Sequence, residues 1–256
     1  MDDALADAPR RPVLILGGSA EARSLAAAAA GRDGWPVISS LAGRVGQPHL
    51  PVGDVRIGGF GGVDGLAAYV RDRRISALVD ATHPFAAGMG WNAARACAVT
   101  GVPLLRLDRP AWTRGDGDRW IEVDDWPQAA AIVASRSRRV LLAIGRQELA
   151  PFAGLDRVWF LIRAVEPPDP LPAFRRAGIV SARGPFALED ERALLCSHRI
   201  DTIVCKNSGG AAAAAKLAAA RELGVTVVMR RRPPRPAVPA VASVGEAVAW
   251  LRENTL

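Results

Sequence analysis

An α/β protein is what the sequence predicts: two domains with parallel sheets, related by internal duplication, with helices on both faces of each sheet and a ligand cleft between the domains. Three observations predict it. Short apolar runs end in glycine-rich or polar turns, alanine-rich helical stretches follow those turns, and the whole pattern recurs in order at offsets of roughly 118–128 residues.

The first element sets the pattern. Val13 to Leu16 is a continuous apolar run, as expected of a parallel strand buried on both faces, and Gly17-Gly18 ends it. Ser19 is placed to cap the alanine-rich helix that follows, with Glu21 in its first turn and Gly31 just past its end. Backbone N–H groups at such a start favour phosphate, although Ser19 and Ala22 replace two glycines of the dinucleotide fingerprint G-x-G-x-x-G. A second strand begins at Pro36 and runs into SSLAGR. GGFGG at 58–62 is the third turn, before a helix that starts near Asp64, where the carboxylate is placed to cap it. An exposed Phe60 in that loop needs an apolar partner, taken as a cofactor or the opposite domain.

Residues 75–110, ISALVDATHPFAAGMGWNAARACAVTGVPLLRLDRP, then match 200–233, IDTIVCKNSGGAAAAAKLAAARELGVTVVMRRRP. Each reads strand, polar turn, alanine-rich helix, Gly-Val, strand, Arg-Pro. RRPVLILGG pairs with RRVLLAIGR, GGFGGVDGLAAYVRDRRI with ARGPFALEDERALLCSHRI, and VDDWPQAAAIV with VASVGEAVAWL. Two Rossmann-like domains follow, 1–137 and 138–256, with the seam near SRSRR at 135–139. Similar edges leave open an exchange of strands between the halves. Ligands of such sheets sit beyond the carboxyl ends of the strands, which here carry GGSAEAR, SSLAGR, GGFGG and DATHPFA, then GRQE, SARGPF and KNSGG.

Composition narrows the function. With 256 residues, half of them hydrophobic, the chain can bury one large core or two small ones. No apolar run approaches the roughly 18 residues of a membrane span, and MDDALADAPRRP lacks the apolar stretch of a signal peptide. Cys97, Cys196 and Cys205 form no CxxC pair, so a cytoplasmic, disulfide-free protein is expected. A net charge of +7 comes from scattered arginines, and the tight run Arg230–Arg232 beside PPRPAVP reads as a solvated loop. No nucleic-acid motif is present, and a polyanionic small molecule suits the charge better than a polynucleotide. The histidines lack metal-ligand spacing, so no metal site is expected.

The end of the second strand selects the nucleotide. An NAD site uses Asp or Glu roughly 20 residues past the glycines to accept the ribose 2′-OH. Ser39 and Ser40 stand there, with Arg44 close behind, a set that accommodates a 2′-phosphate and so favours NADP. Asp80 is expected to hold the DATHP turn through an Asx-type side-chain bond.

GGSAEAR, SSLAGR, GGFGG, VDATHPFA and KNSGG, in this order, resemble the precorrin-6A reductase family of cobalamin biosynthesis, from Val13 to about Leu251. The resemblance implies NADPH-dependent reduction of a macrocyclic C=C bond to give precorrin-6B, or the same step on the cobalt-containing macrocycle. It implies cofactor contacts at Gly17, Gly18, Ser19, Ala20, Glu21, Ser40, Arg44, Gly59, Phe60, Gly61, Thr82, His83 and Pro84. Arg183, Phe186, Lys206, Asn207, Ser208, Gly209 and Gly210 are then expected to meet the carboxylate-rimmed tetrapyrrole, Asn207 as a ligand hydrogen-bonder and 208–210 as a turn of N–H donors. His83 and Lys206 are the candidate catalytic groups, and neighbouring cobalamin-pathway enzymes the candidate partners. A two-domain nucleotide-sugar or phosphoribosyl transferase and a non-catalytic tetrapyrrole carrier are the competing readings.

Overall fold

The structure is a computed structural model that describes residues 10–31, 33–43, 50–167 and 169–255. Arg44 therefore lies outside the described residues.

Strand and helix alternate from the start. β1 (Val13–Leu16) leads to α1 (Ala20–Gly31), β2 (Val37–Leu41), β3 (Asp54–Ile57), α2 (Gly62–Asp72), β4 (Ala77–Asp80), α3 (Ala87–Thr100) and β5 (Leu104–Leu107). Then come β6 (Trp120–Val123), α4 (Trp126–Arg136), β7 (Arg139–Ala143), α5 (Ala150–Ala153), β8 (Trp159–Ala164), β9 (Ala177–Ser181), α6 (Leu188–Ser197), β10 (Thr202–Lys206), α7 (Ala215–Leu223), β11 (Thr226–Arg230), β12 (Ala240–Val241) and α8 (Val244–Asn254). All pairings are parallel, in two six-stranded sheets ordered β12-β5-β4-β1-β2-β3 and β6-β11-β10-β7-β8-β9.

The sheets bear out the duplication and the α/β class. β1 and β7 occupy the same central position, and β2 to β5 are repeated as β8 to β11. Continuous apolar strands are required because each sheet is covered twice. Val13, Ile15 and Val79 pack under α1 and α8, while Leu14, Leu16 and Leu78 pack on α2 and α3. In the second sheet Val140, Leu142 and Phe160 meet α4 and Phe152 of α5, and Leu141, Ile203 and Val227 meet α6 and α7.

The predicted boundary at 137/138 is corrected. The first compact unit runs to Arg109 and resumes at Pro234, and the second is Pro110–Pro233. The halves exchange their ends: β6 pairs with β11, and β12 with β5. The first repeat's closing strand and helix thus complete the second sheet, and α8 packs into the core under β1. Duplicated edges present nearly the same surface, so sequence order alone does not say which edge a closing strand joins.

Local corrections follow from backbone geometry. α2 starts at Gly62 behind a left-handed Gly61 with no side-chain cap, so Asp64 lies inside its first turn. Glycine is needed at 65, where a Cβ would sit 1.7 Å from the Phe60 carbonyl oxygen. Gly31 is the last residue of α1 and not the first beyond it.

Candidate functional site

The order of the first sheet places a switch point between β1 and β4, because β2 and β3 extend to one side and β4 and β5 to the other. Crevices form at such points, beyond the carboxyl ends of the strands. A small cleft lies there, lined by Ser19, Glu21, Ala81, Thr82, Pro84 and Leu107 to Arg109. A second hollow, around Arg11, Arg71, Arg74 and Thr100, opens at the opposite edge and contains none of the predicted residues.

Ser19 joins the two sides of the crevice. Its Oγ accepts the Ala22 N–H at 3.0 Å, capping α1, and donates to the Ala81 carbonyl at 2.9 Å beyond β4. Gly18 has φ 109°, and a Cβ there would meet nothing within 4 Å, so its backbone faces open space. Glu21 accepts both Arg109 Nη1 contacts at 3.1 Å. Burial opposes ionisation of Glu21, but its own backbone N–H, Arg109 and Ser19 outweigh burial and hold the carboxyl below its usual range. The Arg109 cation thus offsets the Glu21 charge beside the anion-favouring helix start.

Beyond β4, Asp80 Oδ1 accepts from Thr82 N at 3.1 Å and Thr82 Oγ1 at 2.6 Å, the expected Asx-type turn. Its other oxygen pairs with Arg235, which sequence reasoning missed. Both side chains are buried, and Arg235 also reaches Thr82 Oγ1 at 3.4 Å. Gly90 makes room for this guanidinium: a Cβ would stand 2.7 Å from Arg235 Nη2. PPRPAVP is therefore not simply a solvated loop, and the signal in it was an arginine between prolines opposite a strand-end aspartate. His83 Nδ1 accepts the Phe85 N–H at 3.2 Å, so the neutral ring carries its proton on Nε2.

At the end of β2, Ser39 and Ser40 are buried, and the Ser40 carbonyl accepts the Gly17 N–H at 2.9 Å. Phe60 has its apolar partners within the first unit. Tyr69 meets it edge-on at 5.3 Å, and the Arg56 guanidinium lies 3.8 Å over its ring while donating to the Gly58 and Gly59 carbonyls. The apolar partners of Phe60 among the described residues thus include Tyr69 of its own unit.

The second sheet has its own switch point, between β7 and β10. Lys206, the last residue of β10, pairs with Glu148. The expectations for the Asn207 side chain and the Ser208 N–H need correction. Asn207 is buried with both ends of its amide spent on Trp112, accepting from N at 2.8 Å and donating to O at 2.9 Å. The Ser208 N–H donates to the Lys206 carbonyl, and the Gly210 carbonyl accepts the Trp112 indole N–H. Gly209 is required by close approach, since a Cβ there would fall 2.1 Å from the Pro110 carbonyl oxygen, at φ 69°. Arg232 donates to the Asn207 and Ser208 carbonyls, so part of the Arg230–Arg232 run braces this turn. Arg183 is exposed, and Phe186 lies under Arg163 at 4.4 Å.

Cys97 and Cys205 are buried free thiols, and burial pushes Cys97 up to about 12. Among the described residues no group of three or more His, Cys, Asp or Glu is placed to hold a metal, and no helix is long and apolar enough to cross a membrane.

Residues 12–252 match the family model described as precorrin-6x reductase CbiJ/CobK. A precorrin-6A reductase of Rhodococcus erythropolis is 53% identical over 241 residues, covering 93% of this chain and 96% of its own. One from Mycobacterium tuberculosis is 49% identical over 243 residues, at 93% and 96% coverage. A solved structure of CobK precorrin-6A reductase superimposes with a TM-score of 0.90 at 43% identity, covering 95% of this chain and 96% of that one. With its two six-stranded parallel sheets and a match over nearly its whole length, the chain belongs to the precorrin-6x reductase CbiJ/CobK family.

Proposed function

We propose that the protein reduces precorrin-6A to precorrin-6B with NADPH, which binds the first unit. The observation that carries the reading is the crevice at the first switch point. There an open glycine turn, a Ser19-capped twelve-residue helix and a charge-compensated Glu21 meet a strand end bearing serines in place of a carboxylate. Those residues fit a dinucleotide phosphate, since the two acids that line the crevice, Glu21 and Asp108, are each paired with an arginine, Arg109 and Arg106. The relatives matched at about half identity are named for the metal-free macrocycle.

When bound, NADPH supplies a hydride for one carbon of the C=C bond. Gly17 to Ala20 would hold the pyrophosphate end, with Glu21 at its margin and paired to Arg109, Ser40 and Arg44 would hold the 2′-phosphate, and Gly59 to Gly61 would flank the cofactor. Thr82, His83 and Pro84 stand at the nicotinamide end, where their placement on a braced turn fixes geometry before the reaction. His83, whose Nδ1 is committed to the Phe85 N–H, would offer its Nε2–H as a hydrogen-bond donor beside the neighbouring carbon, which takes its proton from solvent water. In the second unit Arg183, Phe186 and the turn Lys206–Gly210 meet the substrate, with Lys206 the cation for its carboxylates. Asn207 serves it by holding the turn to Trp112. The buried free thiols suit a reducing cytoplasm, and neighbouring pathway enzymes are the natural source of an unstable macrocycle.

Fluorescence titration of NADPH and NADH against wild type and Arg44→Ala tests the cofactor. NADPH is expected to bind tightly to wild type and about tenfold more weakly to the variant, with NADH weak in both. Equal, feeble binding of both would overturn the reading. His83→Gln is expected to lower kcat on precorrin-6A and leave the NADPH Kd unchanged.

A further inference from the structure

Both sheets have a switch point, where crevices form beyond the strand ends, but in the second that position holds an acid of its own chain. After β7 the backbone passes through Gly145 into a single tight turn, Arg146–Glu148, and the helix that follows has four residues in place of the twelve of α1. Glu148 is thereby brought in front of the strand ends. Its Oε2 accepts the Gly145 N–H at 3.3 Å and pairs with the Lys206 ammonium. Its Oε1 accepts the Trp126 indole N–H at 3.1 Å and lies 3.4 Å from Arg230 Nη1. A backbone amide, an indole N–H and two cations converging on one pair of oxygens is a donor set suited to a phosphate.

We propose that Glu148 is a resident anion in the phosphate position of the second crevice, which closes that unit to nucleotide and holds Lys206 in place. The proposal rests on the reading that the first crevice is the dinucleotide site, and it assigns one dinucleotide to each chain. It also gives the duplication a physical outcome. One copy of the crevice admits an external anion, and the other has internalised its anion and turned the strand-end cation into a fixed feature.

The test is a calorimetric titration of inorganic pyrophosphate into wild type and Glu148→Ala, each with saturating NADPH. The variant should take up one additional pyrophosphate per chain, at least about tenfold more tightly than any such event in wild type. That site should vanish in the double variant Glu148→Ala with Lys206→Ala. Identical uptake by wild type and Glu148→Ala would overturn the proposal. Should Glu148→Ala not fold, Glu148→Gln keeps the shape and removes the charge. Its thermal midpoint is expected to fall by about 5 °C in low salt and to be restored by pyrophosphate at concentrations that leave wild type unmoved. A midpoint equal to wild type and indifferent to pyrophosphate would equally overturn it. If NADPH fails to bind wild type, the dinucleotide reading fails by itself. The difference in pyrophosphate uptake still decides the role of Glu148.

Discussion

The first and second units share a strand order and differ in the turn that follows the central strand. In the first, Gly17-Gly18-Ser19 opens a full helix, and the nearby acid, Glu21, is drawn aside to Arg109. In the second, the turn folds back and puts Glu148 between Lys206 and Arg230. The comparison teaches that a duplicated sheet specialises through its strand-end turns while its hydrophobic layers stay the same. A layer must fill the same space in both copies, whereas a turn at the solvent edge is free to change its chemistry.

Buried ion pairs offer the strongest way to break the comparison. Asp80 pairs with Arg235 in the first unit, and Arg163 with Glu191 in the second, at 2.6 and 3.0 Å. Arg235→Ala and Glu191→Ala each leave one charge buried without its partner, with an expected loss of about 3–5 kcal/mol. Denaturant unfolding checks the loss in each variant. The two should part in cofactor binding: Arg235 holds the aspartate that fixes Thr82, so only Arg235→Ala should raise the NADPH Kd, and Arg235→Lys should restore part of it. Equal effects on NADPH would show that the proposed cofactor turn is not specially braced by Arg235.

Glycines give the next largest effect. Gly209→Ala forces a Cβ to 2.1 Å from a carbonyl oxygen at positive φ and should cost about 2–3 kcal/mol. Gly18→Ala meets only the conformational penalty, about 1 kcal/mol, because its Cβ would face open space. Thermal melts of the two variants read the difference. A Gly18→Ala variant that keeps its fold and binds NADPH as wild type does would count against backbone approach at that turn.

Much of this was legible in the sequence. The strand β1, the Ser19 cap, the Asp80 turn and the duplication follow from local patterns, where a few adjacent residues decide the structure. The parts that were not legible depend on distant partners. Arg235 reaches Asp80 across 155 positions, and Asn207 finds the backbone of Trp112 across 95. No local pattern distinguishes such an arginine or asparagine from one that meets a ligand. The exchange of closing strands was illegible for a related reason: duplication makes two edges chemically alike, and the choice between them is made by the folded chain.

The smallest effect concerns Glu21 and pH. Its ordinary value is 4.5, and in the folded chain Arg109, Ser19 and its own N–H hold it lower, against the opposing influence of burial. A lowered carboxyl contributes stability that is fully present above the unfolded value and is lost as pH falls through the folded one. Wild type should therefore show no change from this group between pH 7 and about 5, and then a loss below about pH 4.5, of at most about 1 kcal/mol for a pair so near the surface. Glu21→Gln should remove that part of the acid-unfolding curve. The same substitution leaves the Arg109 cation beside the proposed phosphate site without its carboxylate, so NADPH affinity at pH 7 should rise or hold. A fall would mean that Glu21 serves the cofactor directly, and the first crevice would then resemble the second more closely, with an acid from its own turn taking part in what the crevice holds.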